Sequence, residues 1–169
     1  IKQILQQAGQ SIWGTERPVL IAWIVLANDQ DRQIISETSP IVPQLIQRDA
    51  EQRGIAVVLP ILDLEDVTQI SPEAVWKADA LTLRSVSKRY GADAIVSARL
   101  QQLTSDGWKV EWTLLLRGQA VRWSNEGATQ SDVIQAGIDH MADALASRFA
   151  VVEEQPSEVK LTVLDIESA

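Results

Sequence analysis

A chain of 169 residues is long enough for one domain with a substantial core. Its net charge of −8 argues against a surface built for nucleic acid or anionic membrane, which needs clustered Lys and Arg. It contains no cysteine, so disulfides, thiolate nucleophiles and cysteine metal sites are excluded.

Ile1, Ile4, Leu5, Ala8 and Ile12 recur at helical spacing, and Gly14 ends that helix. Because it opens at Ile1 rather than at methionine, the chain is expected to be a mature or excised piece, with any targeting segment upstream. Pro18 leads into Val19–Ala27, an apolar run too short to cross a bilayer and dense enough for a central strand covered on both faces. Asn28–Asp31 is a turn cluster, and Arg32–Ser36 returns as an edge strand. Ser39-Pro40 reads as an N-cap followed by proline at the first helical position, opening a helix that runs to Arg53. Gly54 stops it. Ile55–Leu62 follows as an apolar strand whose ladder is expected to break near Pro60.

Asp63–Asp66 reads as an acidic loop, and Ser71-Pro72-Glu73 as a second helix cap. The helix after it carries Trp76, Ala80, Leu83, Val86 and Tyr90 as an inward stripe. Lys88 and Arg89 favour its negative end, and Gly91 closes it. Ala94–Leu103 is then a buried strand. Ser105–Gly107 is a tight turn, and Trp108–Leu116 alternates apolar and polar residues as a half-buried antiparallel strand should. Gly118-Gln119 turns into a third strand at Ala120–Ser124. Thr129–Asp132 is close to a capping box for a final helix over about Asp132–Val151, with Ile134, Ile138, Met141, Leu145 and Phe149 along one stripe.

These elements predict an α/β (α+β) domain. A mixed sheet of about five to seven strands would carry about three or four helices mainly on one face, with an antiparallel meander at 94–124. One domain is expected over 1–152 and a linker over 153–157. Residues 158–169 would supply the last strand of this sheet or the start of a following module.

Several motifs carry a resemblance. Trp13-Gly14, Arg17-Pro18 leading into LIAWIVL, VVLPILDLEDV, RYGADAIVSARL, WKVEWTLLL with Trp123, and ADALASRFAV together resemble a bacterial family of uncharacterised exported proteins, domain-of-unknown-function family 2066. The resemblance implies a periplasmic or otherwise exported protein of the cell envelope, part of a longer chain, with no catalytic residues to carry over. The strand after Gly91 is also similar to the anticodon-binding-like N-terminal domain of the Tol translocation protein, which serves protein contacts.

Asp63, Glu65 and Asp66 follow a strand, and Asp93 precedes the next one. Together they are the candidate ligand-binding crevice, since open α/β sheets bind ligands beyond strand ends. The plainer reading of the acidic trio is a solvated loop leading to a helix cap. Trp108, Trp112 and Trp123 are the candidate interaction surface, or else core beneath a helix. His140, the only histidine, has Asp139 and Asp143 near it but too few ligands for a metal. No nucleotide-binding loop, serine-hydrolase elbow or zinc-protease motif is present, so no catalytic residue, metal or cofactor is expected. The leading reading is a non-catalytic protein-interaction module of the cell envelope. Its partner would be another envelope protein, with no nucleic acid and no transmembrane segment in this chain. The alternatives are a small-ligand-binding domain using 63–66 and 93, and a carboxylate-dependent hydrolase.

Overall fold

The computed structural model describes residues 18–28, 31–104 and 106–150, with Phe149 and Ala150 described in their backbone only. The helix expected at 1–12, the linker at 153–157 and the strand within 158–169 lie outside the described residues. In chain order the elements are β1 (Val19–Ala27), β2 (Arg32–Ile34), α1 (Val42–Gln52), β3 (Ala56–Val58), α2 (Leu64–Gln69), α3 (Pro72–Trp76), α4 (Ala80–Ser87) with a 3-10 turn (Lys88–Tyr90), β4 (Ala94–Gln102), β5 (Trp108–Leu116), β6 (Gln119–Gly127) and α5 (Gln130–Ala150).

The fold is α/β with one mixed sheet in the order β2-β1-β4-β5-β6. β3 pairs parallel with the start of β1 (Val19 opposite Ala56), on the same edge where β2 pairs antiparallel with its end. β4 pairs parallel with β1 from Leu20 opposite Ala94, so both glycine-terminated crossovers feed strands onto β1, which lies between them. β4, β5 and β6 form the expected antiparallel meander.

β1 is covered on both faces, and its two-residue period sorts it between two cores. Leu20, Ala22 and Ile24 pack with α1 and α5 through Val42, Ile46, Ile134, Ile138 and Leu145. Ile21, Trp23 and Val25 pack with Ile70, Val75, Leu83 and Val86 of the second layer. The two long helices thus share one face, and the short helices α2–α4 close part of the other. Among the described residues no helix is long and apolar enough to cross a membrane.

Gly54 (φ 70°) and Gly91 (φ 60°) occupy the left-handed conformation expected of helix stops. Pro60 ends the β3 segment, its carbonyl accepting from the Glu37 amide. Three local expectations are corrected. The helix after Ser39-Pro40 begins at Val42. Ser39 instead closes a turn, its hydroxyl accepting from the Ser36 amide at 3.0 Å. Asp63–Asp66 is not a loop, because Asp63 caps α2 by accepting from the Asp66 amide at 3.1 Å. The single helix expected after Ser71 is broken at Ala78 (φ 51°), where the Asp79 carboxylate accepts from the Leu81 amide and starts α4 afresh.

Candidate functional site

The acidic trio at 63–66 is drawn onto the Lys88–Tyr90 turn. Arg89 donates to both oxygens of Asp63, at 2.7 Å each, and to Oδ1 of Asp66 at 3.2 Å; Glu65 lies 3.5 Å from the same guanidinium. Asp66 is 1% exposed. Its Oδ2 accepts from the Leu62 amide at 3.0 Å and from the Tyr90 hydroxyl at 2.5 Å. The Tyr90 oxygen in turn accepts from the Ile61 amide at 3.1 Å. The result is a clamp tying the segment after β3 to the end of α4. Asp93 closes a different junction, at the start of β1. Its carboxylate accepts from the Val19 amide at 2.9 Å, and its own amide donates to the Val19 carbonyl at 2.8 Å.

The electrostatics follow from this geometry. Hydrogen bonds from Arg89, then from the Asp66 amide, hold the Asp63 carboxyl far below the usual carboxylate range, so it neither donates nor accepts a proton near neutrality. Its contribution to stability is present above about pH 4 and is lost as pH falls through the depressed value. Burial, reinforced by the bond to Asp66, pushes the Tyr90 phenol up to about 12. That contribution is complete below the unfolded value of about 10 and is lost as pH rises through about 12. Tyr90 is the only tyrosine in the chain, so phenolate absorbance reads it alone. The titration midpoint is expected near 12. A midpoint near 10 with native circular dichroism would mean the clamp does not exist in solution.

Trp108, Trp112 and Trp123 lie on the α5 side of the sheet. Trp112 is 2% exposed, while Trp108 and Trp123 are half-buried against the same core. The Trp112 and Trp123 rings stack at 6.1 Å, and His140, exposed on α5, stacks on Trp123 at 5.0 Å. Gly137 brings the α5 backbone onto the Trp112 ring. Asp139 and Asp143 reach Arg53 of the α1 terminus at 3.3 and 2.7 Å rather than His140. Among the described residues no set of three His, Asp or Glu is placed to hold a metal ion.

One edge left open among the described residues is that of β6. It is the terminal described strand of the sheet and is longer than the Ala120–Ser124 segment expected. Arg117 (φ 48°) and Gly118 (φ 82°) make the two-residue turn that joins it to β5, with Leu116 opposite Gln119. In such a hairpin the pair flanking the turn is hydrogen-bonded, and bonded pairs then alternate. Gln119, Val121, Trp123, Asn125 and Gly127 therefore turn their backbone toward β5, while Ala120, Arg122, Ser124 and Glu126 present N–H and C=O outward. No described strand pairs with them. The side chains of these four are exposed. Arg122, Ser124, Glu111, Thr113 and Arg99 border an open depression of about 320 Å³. Glu111 there is paired with Arg99 and, at 3.6 Å, with Lys109. The alternation of Val121 and Trp123 with Arg122 and Ser124 is a strand signal that the expected Ala120–Ser124 segment contains, but it does not extend to Asn125–Gly127.

No family model matches the chain, and no curated protein matches it. Among solved structures it is similar to the N-terminal domain of Protein Y from Thermus thermophilus, at 11% identity and a TM-score of 0.36 over 80% of this chain and 99% of that one. It is similar to lipoprotein GNA1162 from Neisseria meningitidis, at 12% identity and a TM-score of 0.38 over 82% and 98%. A competence damage-inducible protein from Klebsiella pneumoniae aligns at 14% identity and a TM-score of 0.41 over 91% and 94%. Alignments this weak carry no functional argument, and the likeness to family 2066 rests on its motifs alone.

Proposed function

We propose that this domain is a non-catalytic protein-interaction module of the bacterial cell envelope, and that it works by accepting an extended segment of another envelope protein along β6. The observation that carries this is the run of outward N–H and C=O groups at Ala120, Arg122, Ser124 and Glu126. A long exposed edge is a template for strand addition, in which main-chain bonds supply affinity and alternate side chains supply selectivity. The depression beside it, bordered by Arg99, Glu111 and Arg122, offers charged contacts to the partner's side chains. The acidic trio supports the non-catalytic part, since Asp63 and Asp66 are both engaged by Arg89. The compartment comes from the family resemblance only.

Ser124→Pro tests the proposal, because the lost N–H points outward and proline is tolerated on an edge with that orientation. Capture of an envelope partner by the full chain should fall about ten-fold or more, with the unfolding midpoint unchanged. The amides of residues 120, 122, 124 and 126 should exchange more slowly in the wild-type complex. Glu65→Ala should capture as wild type does. If Ser124→Pro retains the partner, or Glu65→Ala loses it, the β6 edge is not the docking surface.

A further inference from the structure

We infer that the β6 edge takes β6 of a second copy of this chain, antiparallel, across a two-fold axis at Ser124. This deepens the strand-addition reading and rests on it.

Arg122 is exposed, faces Thr113 across the β5 register, and makes no hydrogen bond or ion pair among the described residues. Its near neighbour Glu111 is already held by Arg99 and Lys109. Glu126, on the same face of the same strand, has only Lys109 at 3.6 Å and stays 61% exposed. An unpaired cation and a weakly paired anion, both on outward-facing residues, leave β6 able to complement itself.

A two-fold seam must set outward residues opposite outward residues, because these alone have free backbone groups. Few registers meet that condition. In one, Arg122 faces Arg122 of the partner subunit, setting like charges together. In the next, Arg122 faces Ser124 of the partner subunit and Glu126 faces Ala120 of the partner subunit. A further shift sets Arg122 opposite Glu126 of the partner subunit, Glu126 opposite Arg122 of the partner subunit, and Ser124 opposite its own copy. Slipping once more sets Arg122 opposite Ala128 of the partner subunit. Only the register centred on Ser124 pairs both charges. Opposite charges directly across a strand pair favour it, and like charges disfavour the competing one. The seam would make one continuous sheet of two domains, and an envelope partner would compete with the copy for the same edge.

The chain has no cysteine, which gives a direct test. Bonded pairs across an antiparallel seam hold their Cα atoms about 5.5 Å apart, within disulfide range. Ser124→Cys in the full chain should therefore form a cross-linked dimer with oxidised glutathione. In this register the two copies of Ala120 stand eight residues apart along the seam, roughly 27 Å, so Ala120→Cys should not cross-link. By sedimentation velocity, Arg122→Glu and Glu126→Arg should each weaken the dimer about ten-fold or more, and the double variant should restore it. Equal cross-linking at both positions, or failure of the double variant to recover, overturns the proposed register. A chain that is monomeric and does not cross-link at Ser124 overturns the second copy as occupant. The capture loss in Ser124→Pro then decides separately whether the edge docks another protein. If the monomer already protects the amides of 120, 122, 124 and 126, the edge is covered within one chain and both readings fail.

Discussion

Gly137→Ala is expected to destabilise the domain by at least about 2 kcal/mol, a large loss for a substitution that ordinarily favours a helix by about 1 kcal/mol. A Cβ at this position would stand 2.2 Å from Nε1, 2.4 Å from Cε2 and 2.7 Å from Cζ2 of Trp112. The obstacle is a ring rather than the end of a flexible chain. Trp112 is 2% exposed, stacked on Trp123, and held by the β5 backbone beneath it. Relief requires α5 to lift from the sheet or the indole to leave its site. Either opens the core that Ile134, Ile138 and Leu145 share with β1 and β4. Urea unfolding followed by circular dichroism measures the loss. Trp112→Phe in the same background should recover part of it, because the smaller ring vacates the contact. If Gly137→Ala is as stable as wild type, α5 does not approach the sheet as closely as described.

The sequence legibly carried what local chemistry determines. Gly54 and Gly91 announced left-handed stops, and the unbroken apolar run of β1 announced a strand with two covered faces. What it concealed depended on distant partners. Asp63, Glu65 and Asp66 looked like a solvated acidic loop because Arg89, which gathers them, lies 26 residues from Asp63. The stripe from Trp76 to Tyr90 looked like one helix. Its spacing is helical, yet Asp79 offers its carboxylate to the next turn and lets the chain restart there. β6 ran past its expected end because pairing with β5 overrides the poor strand propensity of Asn125, Glu126 and Gly127. The open edge was hidden for another reason. Whether a strand is central or terminal belongs to the order of the whole sheet, and no window of sequence contains it.

Asp66→Ala should produce the second large effect, a loss of about 1–3 kcal/mol, the usual cost of leaving a buried donor without its acceptor. Asp66 is 1% exposed and gathers three donors: the Leu62 amide, the Tyr90 hydroxyl and the Arg89 guanidinium. Alanine would leave the Leu62 amide and the Tyr90 hydroxyl without their acceptor, while Arg89 would keep Asp63 and Glu65. The amide matters most locally, because Leu62 sits at φ 57°, a conformation that a side chain disfavours and that the bond to Asp66 helps hold. Asp63→Ala removes a bidentate contact to the same arginine, but the Asp63 side chain is 41% exposed and water can replace it, so its effect should be clearly smaller. Two measurements separate the clamp from a mere loss of packing. The Tyr90 phenol should titrate closer to 10 in Asp66→Ala, since an acceptor of its proton has gone. A double-mutant cycle with Arg89→Ala should show coupling of about 1 kcal/mol or more. Additive losses and an unmoved phenol would mean that Asp66 is buried without holding the Tyr90 turn, and that the acidic trio is available for another role.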